Sequence, residues 1–136
     1  MNYRISKTWE VIFILPLLLI IFSTNAQQKK MCITVDDLPT VSYGVGGDEL
    51  KLKITKGLVA VFTEYKIPAI GYVNEGKLYK NEKLNSKDVA LLELWFTNGL
   101  ELGNHTYSHL SYNTTSFQTY TADLLKGEQV TRKLAE

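Results

Sequence analysis

The chain has only two histidines, and they stand four residues apart in Gly103-Asn104-His105-Thr106-Tyr107-Ser108-His109. Far upstream, the apolar run Met31-Cys32-Ile33-Thr34-Val35 ends in two adjacent carboxylates, Asp36 and Asp37. Two imidazoles and one carboxylate make a three-ligand set with a coordination position left open, the catalytic rather than the structural arrangement for zinc. The same donors suit iron and other divalent ions, so residue types alone leave the metal open. The second carboxylate is then free to act as a base, and the chemistry is metal-assisted hydrolysis. Spacing alone allows either aspartate to be the ligand. On a helical turn, the i, i+4 spacing of the histidines places both imidazoles on one face. Each signal is weak by itself, since adjacent aspartates after a strand commonly cap helices or form turns. The combination is stronger because both motifs leave predicted strands.

The elements that must position these residues are legible as short apolar runs. Residues 30–35 read as a buried strand rich in β-branched side chains, with Cys32 inside it as a small core residue. A loop follows from Leu38 to Gly47, and Asp48 stands where a helix cap belongs. Leu50, Ile54, Leu58, Val61, Phe62 and Tyr65 recur at helical spacing, with Lys51, Lys53 and Lys56 on a solvated face. Pro68 ends that helix. Ala69 to Val73 is a second strand, closed by the turn Asn74-Glu75-Gly76. Ser86 is placed to cap a second helix with apolar face Val89, Leu92, Trp95 and Phe96, ending at Gly99. Leu100 to Gly103 is a third strand, running into the histidine motif. One further helix runs from Phe117 through Tyr120, Leu124, Val130 and Leu134. The aromatic residues Phe62, Tyr65, Trp95 and Phe96 are read as core rather than as a sugar platform.

Strand and helix alternate three times, which argues for an α/β fold with parallel strands and crossover helices. In an α/β barrel catalytic groups come from the C-terminal ends of strands, so Asp36, Asp37, His105 and His109 are all expected on one rim. About three βα units are too few to close a barrel, whose eight-unit form takes about 250 residues. A parallel sheet must also be covered on both faces. The expected domain is therefore the N-terminal portion of a larger one.

The chain opens with Arg4 and Lys7, an apolar run from Val11 to Phe22 broken only by Pro16, and Ser23-Thr24-Asn25-Ala26. This is the pattern of a secretory signal peptide over residues 1–26, leaving a domain over 27–136 and no stable membrane insertion after cleavage. The expected location is outside the cytoplasm: secreted, periplasmic or at the cell surface. Removing two basic residues and one acid from totals of 15 and 14 leaves 13 of each, a net charge of zero. No electrostatic footprint for nucleic acid is present. With one cysteine, Cys32, no intramolecular disulfide can form, so stability must come from packing or metal. Asn104-His105-Thr106 and Asn113-Thr114-Thr115 match glycosylation acceptors. Such short patterns recur by chance, and a glycan on Asn104 would crowd the metal; both are discounted.

At the two motifs the chain resembles the NodB-type polysaccharide deacetylases, carbohydrate esterase family four. The family's first motif, Thr-Phe-Asp-Asp-Gly, reads Thr34-Val35-Asp36-Asp37-Leu38 here, with Leu38 in place of the glycine. The second, His-(Ser/Thr)-x-x-His, is matched in full by His105 to His109. Pro68-Ala69-Ile70-Gly71-Tyr72-Val73 is similar to the family's second strand, so the resemblance covers essentially all of the expected mature chain. It implies that Asp36 is the general base and that Asp37, His105 and His109 hold the metal, with zinc the first expectation. It also implies a distorted (β/α) barrel of fewer than eight units, hydrolysis of N- or O-acetyl groups, and a polysaccharide or oligosaccharide substrate. Two other readings stand beside it: a catalytically inactive carbohydrate- or metal-binding protein of the same fold, and a related metal amidohydrolase acting on non-sugar amides. The family's later motifs, which supply an arginine, groove residues and a histidine acid, are not met in these 136 residues. The chain alone is therefore expected to be weakly active or inactive.

Overall fold

The computed structural model describes residues 29–40 and 45–136. The chain divides into two compact units, Met1–Met31 and Cys32–Glu136, and every element below belongs to the second. The expected signal peptide lies outside the described residues. Among the described residues no helix is long and apolar enough to cross a membrane.

Strand β1 is Ile33–Leu38, so it starts later than expected and holds both aspartates within it. Cys32 precedes the strand and is exposed, which overturns its reading as a core residue. Helix α1, Gly47–Glu64, begins at Gly46 in a left-handed conformation (φ 83°) with no side-chain cap. Asp48 does not cap it; its carboxylate instead pairs with Lys80 and Lys87. The inward stripe of α1 is Thr55 and Val59, with Leu58 and Phe62 packed against the core. Val61 is exposed because it lies two residues, about 200° around the helix, from Val59. Tyr65 falls beyond the last helical residue and is exposed as well. Lys51 departs from the solvated face, since its ammonium lies 2.6 Å from the buried Asp88 carboxylate. A buried charge requires such a partner.

Strand β2, Ala69–Val73, matches the expected segment and leads into a 3-10 turn over Glu75–Leu78. A short antiparallel hairpin that periodicity did not reveal follows, with β3 at Tyr79–Lys80 and β4 at Lys83–Leu84. Helix α2 is Ser86–Thr97; its cap is Asn85, one residue earlier than expected, whose side chain accepts from the Lys87 amide. Strand β5 is Glu101–Asn104. The single terminal helix expected from Phe117 is two, α3 (Phe117–Lys126) and α4 (Gln129–Ala135), separated at Gly127.

The sheet is parallel with order β1-β2-β5, the arrangement expected of consecutive βα units and of part of a distorted (β/α) barrel. Its core gathers Val73, Leu78, Leu92 and Trp95, all fully buried. The Trp95 indole N–H donates to the Glu101 carbonyl at 2.9 Å, and Phe62 meets its ring edge-on at 5.9 Å. Of the four aromatic residues assigned to the core, Trp95 is buried and Phe62 partly so, whereas Tyr65 and Phe96 are exposed. Phe96 sits a further 100° around α2 from Trp95, which turns it outward.

Candidate metal centre

The first part of the site is a defect in β1. Val35 pairs with Gly71 and Leu38 with Val73, so three residue steps on β1 oppose two on β2. The extra residue falls at the aspartates. In a regular strand Asp36 and Asp37 would point to opposite faces; a bulge re-aims them. Asp37 adopts φ 67°, a left-handed conformation that aspartate enters more readily than most residues. Asp37 is left half-buried at the rim and Asp36 exposed. The Lys77 ammonium donates to Asp37 Oδ1 at 2.8 Å and to its carbonyl oxygen at 3.2 Å. That hydrogen bond, against the opposing effect of burial, holds the Asp37 carboxyl below the usual carboxylate range.

The histidines leave the far strand of the sheet. The His105 N–H donates to the Val73 carbonyl at 2.9 Å, prolonging the β2–β5 ladder by one bond. Residues 105–109 do not form the expected helical turn. Thr106 and His109 have φ 64° and 57°, and this loop, rather than helical periodicity, brings the rings together with centroids 4.9 Å apart. Left-handed residues cannot use helical hydrogen bonds, so local side chains serve the backbone instead. The Thr106 hydroxyl accepts from the His109 N–H at 3.0 Å, and Asn104 Oδ1 accepts from the Thr106 N–H at 2.7 Å. The Asn104 amide also donates to the Leu124 carbonyl at 2.8 Å, so this acceptor-pattern asparagine is engaged at both ends.

Residues outside both motifs hold this loop in place. The buried Asn74 side chain donates to the His105 carbonyl, and the Gly76 N–H donates to the Tyr107 carbonyl at 2.9 Å. From the other side, the Asp123 carboxylate accepts from the Ser108 N–H at 2.9 Å. Gly127 packs so closely that a Cβ there would lie 2.6 Å from the Thr106 carbonyl carbon and the Tyr107 nitrogen. Glu75, fully buried, accepts through Oε1 from the Val130 N–H (2.8 Å), the Thr131 N–H (2.7 Å) and the Thr131 hydroxyl (2.9 Å), pinning the start of α4. Four consecutive residues, 74–77, thus fasten the histidine loop, the start of α4 and Asp37. By sequence, Asn74-Glu75-Gly76 reads only as a turn. The signal that could have singled them out is their position directly after a parallel strand, on the rim where functional groups gather.

Asp37, His105 and His109 each offer a ligand atom, and these atoms lie within 4.8 Å of one another. His109 Nε2 is 3.6 Å from Asp37 Oδ1; ligands bonded at 2.0–2.1 Å to a tetrahedral ion sit about 3.3 Å apart. The donor set and its spacing therefore fit a divalent metal with one side open. Of the two aspartates, Asp37 joins the histidines, and Asp36 remains outside the cluster on the same strand end. A cavity of about 390 Å³ bordered by Asp48, Lys51, Leu52, Lys87, Asp88 and Leu91 contains none of these residues.

A family model described as polysaccharide deacetylase matches residues 23–136. Two solved structures share the fold. One is the Bc1960 peptidoglycan N-acetylglucosamine deacetylase in complex with 4-naphthalen-1-yl-N-oxidanyl-benzamide, at 18% identity and TM-score 0.55, covering 76% of this chain and 40% of that one. The other is a family 4 carbohydrate esterase from Bacillus anthracis, at 18% identity and TM-score 0.59, covering 98% of this chain and 56% of that one. The chain thus spans about half the length of the structures it matches. No curated protein matches it.

Proposed function

Because the chain belongs to the polysaccharide deacetylase family, we propose that it serves a metal-dependent hydrolase that removes N- or O-acetyl groups from a polysaccharide. The observation that carries this reading is the convergence of Asp37, His105 and His109 at one rim. A divalent ion bound there would supply Lewis acidity, lowering the pKa of water to about 7 and polarising the acetyl carbonyl. Zinc is the ion we assign, because two imidazoles, one carboxylate and an open position are its catalytic ligand set.

The chain's own residues then divide the remaining work. Asp37 would bring a negative charge to the ion. Asp36, exposed on the same strand end, takes the proton from the attacking water. Both histidines would be engaged as ligands, so neither is assigned to protonate the leaving amine. The names of the two structural neighbours, a peptidoglycan N-acetylglucosamine deacetylase and a carbohydrate esterase, support an acetylated sugar polymer as the substrate. The leader pattern over residues 1–26 supports export to where such polymers lie.

The test is acetate release from N-acetylglucosamine oligomers together with metal content by mass spectrometry. Asp36→Asn is expected to keep the metal and lose about 100-fold or more of whatever activity the wild type shows, the scale of a general base. His105→Ala is expected to lose the metal itself. Equal metal content in both variants would overturn the assignment of roles.

A further inference from the structure

Lys77 takes no part in the reaction proposed above, yet it touches the metal site. It leaves the 3-10 turn after β2, and its ammonium lies 2.8 Å from Asp37 Oδ1 and 3.2 Å from the Asp37 carbonyl oxygen. Asp37 Oδ1 is also the oxygen 3.6 Å from His109 Nε2. A single carboxylate oxygen therefore faces both a fixed cation of the chain and the imidazole with which it would share a metal. A lysine ammonium is a compact point charge on a flexible stem. Side-chain exposures of 38% for Lys77 and 31% for Asp37 leave it a path into water. An ammonium and a divalent ion on the same oxygen repel each other, and partial burial keeps water and salt from screening that repulsion fully.

We propose that Lys77 is an internal cation that occupies Asp37 when no metal is bound and yields that oxygen to the metal, so that its charge sets the metal affinity of the site. This rests on the reading of Asp37, His105 and His109 as metal ligands. In the metal-free chain Lys77 neutralises the carboxylate and ties the side chain and carbonyl of the left-handed Asp37 residue together. Metal binding exchanges a monovalent cation for a divalent one. Lys77 is thus a positioning residue: it acts through Asp37 and contacts no reacting atom.

Zinc affinity of the full chain, measured by competition with a chromophoric chelator, tests this in wild type, Lys77→Met, Lys77→Arg and His105→Ala. Lys77→Met is expected to bind zinc about tenfold tighter, the scale of relieving the repulsion between a unit charge and a dication about 6 Å apart in water. Its metal-free form is expected to melt at a lower temperature than metal-free wild type. Lys77→Arg should keep wild-type affinity, which separates charge from side-chain packing. Lys77→Gln carries the same prediction as Lys77→Met if the latter does not fold. Unchanged or weaker zinc binding by both neutral variants, on a wild type that binds zinc, would overturn the role of Lys77 alone. A wild type that binds zinc no better than His105→Ala would overturn the metal site and this proposal together.

Discussion

Asp36 and Asp37 are neighbours of identical chemistry, and a left-handed backbone at Asp37 accompanies the placement of Asp37 alone beside the histidines. Sequence spacing left the two interchangeable, because a bulge is a property of how β1 pairs with β2 and not of the Asp-Asp dipeptide. The i, i+4 histidines teach a similar lesson. Their spacing suggested a helical turn, but two left-handed residues bring the rings together as well. Asp123 shows what such a loop requires. Burial acts to raise its carboxyl, but the Ser108 N–H that donates to it at 2.9 Å, with the neighbouring Ser108 and Thr106 hydroxyls, prevails and lowers it. A carboxylate with a depressed folded pKa contributes stability above its unfolded value, and that contribution is lost as pH falls through the folded value. Asp123→Asn should therefore destabilise the chain by about 1–2 kcal/mol at pH 7. The difference should shrink as pH falls below the ordinary carboxylate range and through the depressed folded value. Thermal melts of the two proteins across this range would check it.

At the scale of elements, what periodicity reveals and what it hides divide cleanly. β2 was legible because its run Ala69–Val73 is short, apolar and bounded by Pro68 and a polar turn. The stripe of α1 was misassigned at Val61 and Tyr65, since several apolar residues in a row fit more than one helical face and the fold selects Thr55 and Val59. The break between α3 and α4 was missed because Gly127 looks like any tolerated helical glycine until the Thr106–Tyr107 backbone is seen against it. Glu75 was hidden most completely. A buried carboxylate whose partners lie at Val130 and Thr131 leaves no local trace. Its place at the start of α4 also suits the positive end of a helix. Glu75→Ala would strand two buried N–H groups at a cost of about 1–3 kcal/mol each. Hydrogen exchange is expected to quicken across Gln129–Ala135 well before it does in β2.

At the scale of the whole molecule, the centre exists only when all three parallel strands are in place. β1 carries Asp37, β5 delivers the histidines, and β2 lies between them, so neither ligand group can meet the other through a direct pairing of their own strands. Residues 74–77 sit at the end of that middle strand and fasten both sides. The fold class and the three residues that converge at the rim, Asp37, His105 and His109, could be read from the sequence because they reside in local patterns. The middle strand's mediating role could not, because it arises from strand order. This order has a kinetic meaning. A ligand cluster completed by two successive non-local pairings is expected to form late in folding, since loop closure must precede the contacts that reward it. Interactions absent from the transition state change unfolding rates and leave folding rates nearly untouched. Zinc should therefore act as a latch: stopped-flow traces should show unfolding slowed in proportion to the binding energy, while refolding of the chain proceeds at one speed with or without the ion.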